Sequence, residues 1–259
     1  MTGLGLVDTH AHLMDAAFDA DRDAVVERAQ QSGVTGMLLV GYDLASSRAA
    51  VDLARRLPNT GAAVGIHPNS AADAPDADFN ALSDLARMPE VVAIGETGLD
   101  NYREFTPPVR QREAFEWHLR LAESLDLPVV IHNRQADNDV SSVTEGFHGC
   151  GVLHCFSSSD PAYLERMLDR GFLVSFAGPL TFRSASSTRD MAKRVPQERL
   201  LVETDCPYLA PEPHRGRRNE PAFVRDTAAC LADVVGVPLL QLAETLASNS
   251  VRIFGGLAA

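Results

Sequence analysis

The stretch VVAIGE, residues 91–96, is a near-continuous apolar run that ends in a carboxylate. Such a run, in which apolar and polar residues do not alternate, is typical of a parallel strand buried on both faces. PVVIH, residues 128–132, repeats the pattern and ends in a histidine. Together the two stretches indicate a parallel sheet with polar side chains at its strand ends.

The rest of the chain extends this pattern to eight strands separated by helical segments. The predicted strands are Leu4–Thr9, Gly36–Val40, Ala62–Ile66, Val91–Gly95, Pro128–Ile131, Gly151–Leu153, Phe172–Phe176 and Leu200–Glu203. One helical segment, residues 160–171, has an Asp cap, Pro at the first helical position and Gly at its end. Two further helices are predicted after the last strand, at Glu220–Val235 and Leu239–Phe254.

Alternating strands and helices predict an α/β protein with a parallel sheet. Eight such units in 259 residues favour a closed (β/α)8 TIM barrel over an open sheet, because such barrels usually have about 250 residues. Neither a linker nor an internal repeat interrupts the pattern. We therefore expect a single domain over residues 1–259, working as a monomer without an obligate protein partner.

Composition limits the environment and the class of function. Apolar runs stay well short of the roughly 20 residues of a membrane span, and the N-terminus lacks the pattern of a secretory signal. The four cysteines show no Cys-x-x-Cys spacing, which favours a cytoplasmic protein with free thiols. A net charge of −12 argues against a protein that passively coats nucleic acid. An enzyme remains compatible, because bound cations create local positive charge.

Polar residues are concentrated where the predicted strands end, which is where TIM barrels carry their chemistry. Five of the eight histidines lie there, together with three carboxylates: His10, His12, His67, His132, His154, Glu96, Glu203 and Asp205. Residues two apart on a strand share a face, so His10 and His12 can hold one cation between them. This clustering predicts a metal site.

Four histidines and two carboxylates can hold two divalent ions if one carboxylate bridges them. We assign His10, His12, Glu96 and Asp205 to one ion. The second ion takes Glu96, His132 and His154, so that Glu96 bridges. Imidazole and carboxylate ligands suit Zn or Mn, and Mg if several waters are kept. Such a pair of ions activates a water for hydrolysis, and Asp205 is the candidate acceptor of its proton.

At these positions the sequence resembles the TatD family of metal-dependent deoxyribonucleases, which belongs to the amidohydrolase-like barrels. The matching stretches are DTHAHL (8–13), GIHP (65–68), VAIGETGLD (92–100), LPVVIHNRQA (127–136), HCFS (154–157), SFAG (175–178), LLVETDCPYLAP (200–211), HRGRRNEP (214–221) and SNSVRIFG (248–255). The resemblance implies a (β/α)8 barrel, the same six metal ligands, and hydrolysis of phosphodiester bonds in DNA, often from the 3′ end, with RNA as a substrate of some members. Ser158, Asn101 and Ala177 stand where the family commonly has Gly, Tyr and Ser; the first two bear on substrate preference.

Several further residues are candidates for contact with the substrate. His67 is a catalytic or substrate contact, or else a structural histidine beside a proline turn. Arg134 could grip a phosphate with two hydrogen bonds, or pair with a neighbouring acid. In the basic segment 214–221, Arg215 and Arg218 are predicted phosphate contacts, with a solvated loop as the alternative. The loop aromatics that could stack on bases are Phe156, Tyr102 and Tyr208.

Other residues beside the predicted ligands have supporting roles in this interpretation. Glu203 and Asp8 share faces with Asp205 and His10, so they are predicted to orient ligands. Cys155 and Cys206 each follow a ligand directly, and strand alternation predicts that they point away from the metals.

Three hypotheses for the function follow. The first is a nuclease that cleaves DNA, and also RNA, as a 3′–5′ exonuclease with a water activated by two metal ions. The second is a metal-dependent hydrolase of a small amide, lactone or phosphoester on the same scaffold, because a fold does not determine its substrate. The third, a binding protein without catalysis, ranks last because no predicted ligand is missing.

Overall fold

The computed structural model describes residues 4–255 and 257, which form one barrel. Eight parallel strands follow one another around a single sheet in chain order. They are β1 (Leu6–Ala11), β2 (Val34–Val40), β3 (Thr60–Val64), β4 (Val91–Asp100), β5 (Val129–Arg134), β6 (Gly151–Leu153), β7 (Leu173–Phe176) and β8 (Leu200–Val202). A parallel bridge between Ala11 and Cys206 brings the first and last strands together. The predicted (β/α)8 barrel is confirmed.

Helices connect the strands. They are α1 (Arg22–Gln31), α2 (Leu44–Ala54), α3 (Asp76–Leu85), α4 (Pro108–Leu125), α5 (Asp137–Val143), α6 (Pro161–Asp169), α7 (Ser186–Ala192), α8 (Val224–Val235) and α9 (Leu239–Phe254). Asp160 caps α6 as predicted, because its Oδ1 accepts a hydrogen bond from the Ala162 N–H at 2.9 Å. The two helices predicted after β8 are confirmed as α8 and α9. In the part of the chain that is described, no single helix is long and apolar enough to cross a membrane; α8 with its preceding turn and α9 reach that length only as a pair bent by 110°.

The apolar core has two layers, as the alternation of strand residues requires. Every strand contributes to the barrel interior, through Val7, Leu38, Val40, Ala63, Ala93, Val130, Val152, Leu173 and Leu201. The opposite strand faces pack against the helices in a second, larger cluster. Val130 and Val152 each lie two residues before a histidine, so the strand period directs His132 and His154 into the mouth of the barrel.

Strand boundaries differ from prediction where they matter most. β4 does not end at Gly95 but continues to Asp100, because its pairing with β5 resumes at Thr97 after a register shift that follows Ile94. Glu96 therefore lies inside an irregular part of the strand, where a bulge can redirect a side chain. The end of β4 was predicted too early, because the apolar run stops at Gly95 while the backbone pairing with β5 continues to Asp100.

Candidate metal centre

Glu96 is the centre of a buried cluster at the mouth of the barrel. Its Oε1 lies 2.8 Å from His154 Nε2 and 2.9 Å from His132 Nδ1. Its Oε2 lies 3.4 Å from His10 Nε2, on the other side of the carboxylate. The side chain of Glu96 is 5% exposed, so these contacts are screened very little by water. Histidines thus face the carboxylate on both sides, His132 and His154 at Oε1 and His10 at Oε2.

The second part of the cluster joins β1 to the loop after β8. His10 Nε2 and His12 Nε2 lie 3.3 Å apart, which confirms that the two rings share a face. Asp205 Oδ1 lies 3.3 Å from His12 Nε2 and 3.9 Å from His10 Nε2. The structure therefore brings together all six side chains that the sequence predicts as metal ligands.

Hydrogen bonds to the framework determine which ring nitrogen carries the proton. His12 Nδ1 donates to the carbonyl oxygen of Val40 at 2.7 Å, and His154 Nδ1 donates to Glu203 Oε1 at 3.1 Å. In its neutral form, which metal binding requires, each ring therefore presents an unprotonated Nε2 to the cluster. The contact with Glu203 is the one expected of a residue that orients a metal ligand.

His132 uses the opposite nitrogen. Its Nε2 lies 3.4 Å from Asp100 Oδ2, which leaves Nδ1 to face Glu96. Asp100 also accepts hydrogen bonds from the N–H groups of Tyr102 and Arg103, both at 2.9 Å, and so ties the loop after β4 to this ring. Gly98 makes the approach of the two strands possible, because a Cβ there would lie 2.0 Å from the His132 carbonyl oxygen.

His67 differs from the other histidines of the site. Its Nδ1 accepts a hydrogen bond from the Asn69 N–H at 3.0 Å, so the neutral ring carries its proton on Nε2. That Nε2 points to Glu96 Oε1 at 3.5 Å. Burial lowers the pKa of His67 to about 3, which keeps the ring neutral near pH 7. His67 is therefore placed as a hydrogen-bond donor.

Electrostatics of the cluster favour positive charge. Burial by itself would lower the pKa of His154, yet Glu96 and Glu203 outweigh it and raise that pKa well above its usual range. For Asp205, burial would raise the pKa, but the hydrogen bond to His12 and the charges of nearby histidines lower it. Glu96 and Asp205, whose pKa values are lowered, therefore stay ionised and can stabilise a cation.

A cavity of about 720 Å³ opens above the cluster and includes Arg134 in its wall. This volume lies in the range of roughly 300–1,000 Å³ that small-molecule sites occupy. The Arg134 guanidinium lies 4.0 Å from the ring centroid of Tyr102. Within the described residues, Arg134 has no carboxylate partner at ion-pair distance, so the alternative of an ion pair with a neighbouring acid is not observed.

The sequence profile of the family described as TatD related DNase matches residues 7–255. The chain belongs to the TatD family. It is 43% identical over 260 residues to a Mycobacterium tuberculosis protein named uncharacterized metal-dependent hydrolase TatD, with 96% of this chain and 98% of the relative covered. A protein of Erwinia tasmaniensis named 3′-5′ ssDNA/RNA exonuclease TatD is 36% identical over 258 residues, with 96% and 99% covered. The solved structure of YjjV, a TatD homologue of Escherichia coli, has a TM-score of 0.91 and 28% identity, with 97% and 98% covered. The chain is thus a metal-dependent hydrolase of this family.

The basic segment of this TatD protein serves the framework more than the cavity. Arg218 forms two hydrogen bonds with Asp21, at 2.8 and 2.7 Å, and a third with the Ala17 carbonyl oxygen. These bonds hold the guanidinium outside the cavity lining, and its predicted phosphate contact stays a prediction. Arg215 also lies outside the cavity lining, over the Phe182 ring at 4.2 Å, and its phosphate contact stays a prediction.

Two cysteines follow predicted ligands, and the prediction holds for only one of them. Cys206 is buried and absent from the cavity wall. Cys155 lines the cavity instead of pointing away, because β6 ends at Leu153 and the backbone of Cys155 has a φ of +43°. Strand alternation no longer applies beyond the end of the strand.

Some supporting residues could not be found from the sequence. His118 in α4 is fully buried, and its Nε2 accepts a hydrogen bond from the N–H of Ile66, the residue before His67. The two histidines are far apart in the chain and share no local pattern.

Asp8 was predicted from the sequence to orient His10. Its Oδ1 accepts from the His10 N–H at 3.3 Å and the Thr204 N–H at 2.9 Å, and so links β1 to the loop after β8.

Proposed function

We propose that this chain is a nuclease that uses two divalent metal ions and removes nucleotides from the 3′ end of single-stranded DNA or RNA. One observation carries the proposal: imidazole nitrogens converge on Glu96 from two sides, beneath a cavity whose guanidinium at Arg134 is unpaired among the described residues. The first feature suits metal ions and the second suits a phosphodiester. The name of the Erwinia relative supports the same substrate class.

The donor set fits two cations. His12 Nε2 and Asp205 Oδ1 lie 3.3 Å apart, and His154 Nε2 and Glu96 Oε1 lie 2.8 Å apart. With neutral rings each contact would join two acceptors, and a bound cation shared by the two atoms would offset that repulsion. We assign His10, His12, Glu96 and Asp205 to one ion and Glu96, His132 and His154 to the other.

The chain's own residues divide the work of hydrolysis. Bound divalent ions would supply Lewis acidity toward the phosphate and the attacking water. Asp205, ionised because its pKa is lowered, accepts the proton of that water. His67 donates from Nε2 to a phosphate oxygen, since its ring is neutral and its Nδ1 is already used. Arg134 holds the phosphate through its planar donors.

An assay on labelled oligonucleotides tests the proposal. Purified protein is loaded separately with Mg²⁺, Mn²⁺ and Zn²⁺ and incubated with single-stranded DNA and RNA that carry a label at either end. We expect mononucleotides to be released from the 3′ end, and His132→Ala to abolish the release. Absence of nucleotide release with every ion would overturn the proposal. Hydrolysis of small esters, lactones or amides in that case would favour the second hydrolase hypothesis.

A further inference from the structure

The cavity has two unlike walls on opposite sides of the metal-site cluster. In the eight-stranded ring, β5 lies across from β1. Arg103 and Arg134, which we term the arginine wall, follow β4 and end β5. Tyr42, Tyr208 and Leu209, which we term the aromatic wall, follow β2 and β8 on either side of β1. A ligand across the cavity meets positive charge at one end and apolar rings at the other.

The arginine wall is free to bind an anion. Within the part of the chain that the structure describes, neither guanidinium lies within ion-pair distance of a carboxylate. Arg134 is supported from behind by the Tyr102 ring and Arg103 by the Phe105 ring, at 4.0 and 5.5 Å from the ring centroids. Stacked guanidinium planes keep their N–H edges available for phosphate oxygens.

The aromatic wall lies beside the other half of the cluster. Ring centroids of Tyr42 and Tyr208 are 5.6 and 6.1 Å from that of His12. Tyr208 is 53% exposed and Leu209 is 41% exposed, although both line a cavity.

The framework fixes Tyr208 in place. Asn219 is fully buried, and its Nδ2 donates to the carbonyl oxygens of Thr204 and Tyr208, at 2.8 and 2.6 Å. Its backbone N–H also donates to the Pro207 carbonyl oxygen at 3.1 Å. The exposed ring is thus presented by a loop that is anchored on two sides, as a preformed binding surface requires.

Other aromatic candidates of the sequence are used differently. Phe156 is buried among Tyr163 and Phe176, at centroid distances of 6.3 and 6.0 Å. Tyr102 has one face covered by Arg134 and does not line the cavity. Of the three loop aromatics, Tyr208 therefore offers an accessible ring to a ligand in the cavity.

We infer that the aromatic wall is a nucleobase subsite and that the arginine wall holds the neighbouring phosphate of the same strand. This inference rests on the proposed function and deepens it, because it states how a single strand lies across the site. Every base has a π-face, so stacking on Tyr208 accepts any sequence, whereas a duplex end keeps its bases stacked on one another. The chain therefore selects an unpaired, sequence-independent end.

Binding is measured first, with a fluorescent single strand whose terminal linkages are phosphorothioates, in the presence of Ca²⁺. Stacking on an aromatic side chain contributes about 1–3 kcal/mol per base, so Tyr208→Ala should weaken binding about tenfold. Tyr208→Phe should retain wild-type affinity, because the ring is kept. Leu240→Ala, which truncates an exposed apolar side chain on α9, is the matched control and should change nothing.

A modified strand tests whether the ring contacts a base. Two probes are used, one without the base of the last nucleotide and one without the base of the penultimate nucleotide. One of the two should bind the wild type about tenfold more weakly than the complete strand does. Tyr208→Ala should lose nothing further with that probe, because ring and base form one interaction. Equal affinities of Tyr208→Ala and wild type, or full additivity with both probes, would overturn the inference.

Kinetics separate this inference from the proposed function. A stacked base takes no part in the bond that breaks and is held equally in the ground and transition states, so Tyr208→Ala should raise KM and leave kcat nearly unchanged. A wild-type protein that binds the strand but releases no nucleotide contradicts the nuclease and leaves the binding test decisive. Nucleotide release with an unchanged KM in Tyr208→Ala contradicts the base subsite alone.

Discussion

Two polar regions lie on the same face of the barrel, and both look functional in the sequence: the cluster around Glu96 and the segment 214–221. In the cluster, the histidine nitrogens and carboxylate oxygens face one another, while Nδ1 of His12 and Nδ1 of His154 are bonded to the framework. In segment 214–221, Arg218 pairs with Asp21, and Glu220 accepts from Arg28 at 2.7 and 2.8 Å. The two regions share a face of the barrel, and they differ in the partners of their polar atoms.

The comparison implies that the cluster, and not segment 214–221, is the reacting centre. The strongest test is to neutralise the carboxylate at the centre of the cluster. Glu96→Gln keeps the shape but removes the charge that faces histidines on both sides. We expect nuclease activity to fall by a factor on the order of 10² to 10³, as with loss of a major electrostatic contact in other enzymes. Thermal stabilisation by added Mn²⁺ or Zn²⁺ should also disappear, because the bridging ligand is lost.

A glutamate in a surface ion pair gives the control. Glu90, the residue before β4, accepts from Arg55 Nε at 2.8 Å, at the opposite end of the strand from the cluster. Glu90→Gln should retain activity and metal stabilisation. Undiminished activity in Glu96→Gln would show that the cluster is not the reacting centre.

The sequence predicted the barrel well because strand and helix periods are local properties. It also placed the metal-site residues, since parallel strands bring their carboxyl ends to one face whatever the details of packing. The position of Glu96 within β4 was missed, because the continued pairing at Thr97 depends on the neighbouring strand. The pairing of Arg218 with Asp21 was missed for a related reason: the two residues are remote in the chain, so local composition carries no sign of the pair.

His118 is a contrast to the histidines of the cluster, because both of its ring nitrogens are hydrogen-bonded to the framework. Its Nδ1 donates to the Ala114 carbonyl oxygen at 2.7 Å and its Nε2 accepts from the Ile66 N–H at 3.0 Å. Burial lowers its pKa from 6.5 to about 4. Between these values the unfolded chain binds more protons than the folded one, so stability falls as the pH falls from 6.5 toward 4.

The expected size of this effect is about 2 kcal/mol between pH 7 and pH 5. Urea unfolding of wild type and His118→Gln, both with EDTA, measures it as the difference between their pH dependences. His118→Gln should be less stable at pH 7 but should lose less stability on acidification. Identical pH dependences would show that His118 is not a neutral, framework-bound histidine.

Arg218→Ala gives the smallest effect and tests the other side of the comparison. Its side chain is 32% exposed, and its ion pair with Asp21 is supplemented by the Phe18 ring, 4.6 Å from the guanidinium. Partly exposed pairs and cation–π contacts each contribute up to about 1 kcal/mol, so unfolding in urea should show a loss of about that size. Because the Arg218 guanidinium lies outside the cavity, kcat/KM of Arg218→Ala and the salt dependence of kcat/KM should match those of the wild type. Arg134→Ala, by contrast, should lower kcat/KM and make its salt dependence less steep. A flatter salt dependence in Arg218→Ala, without loss of stability, would return segment 214–221 to the role of a phosphate contact.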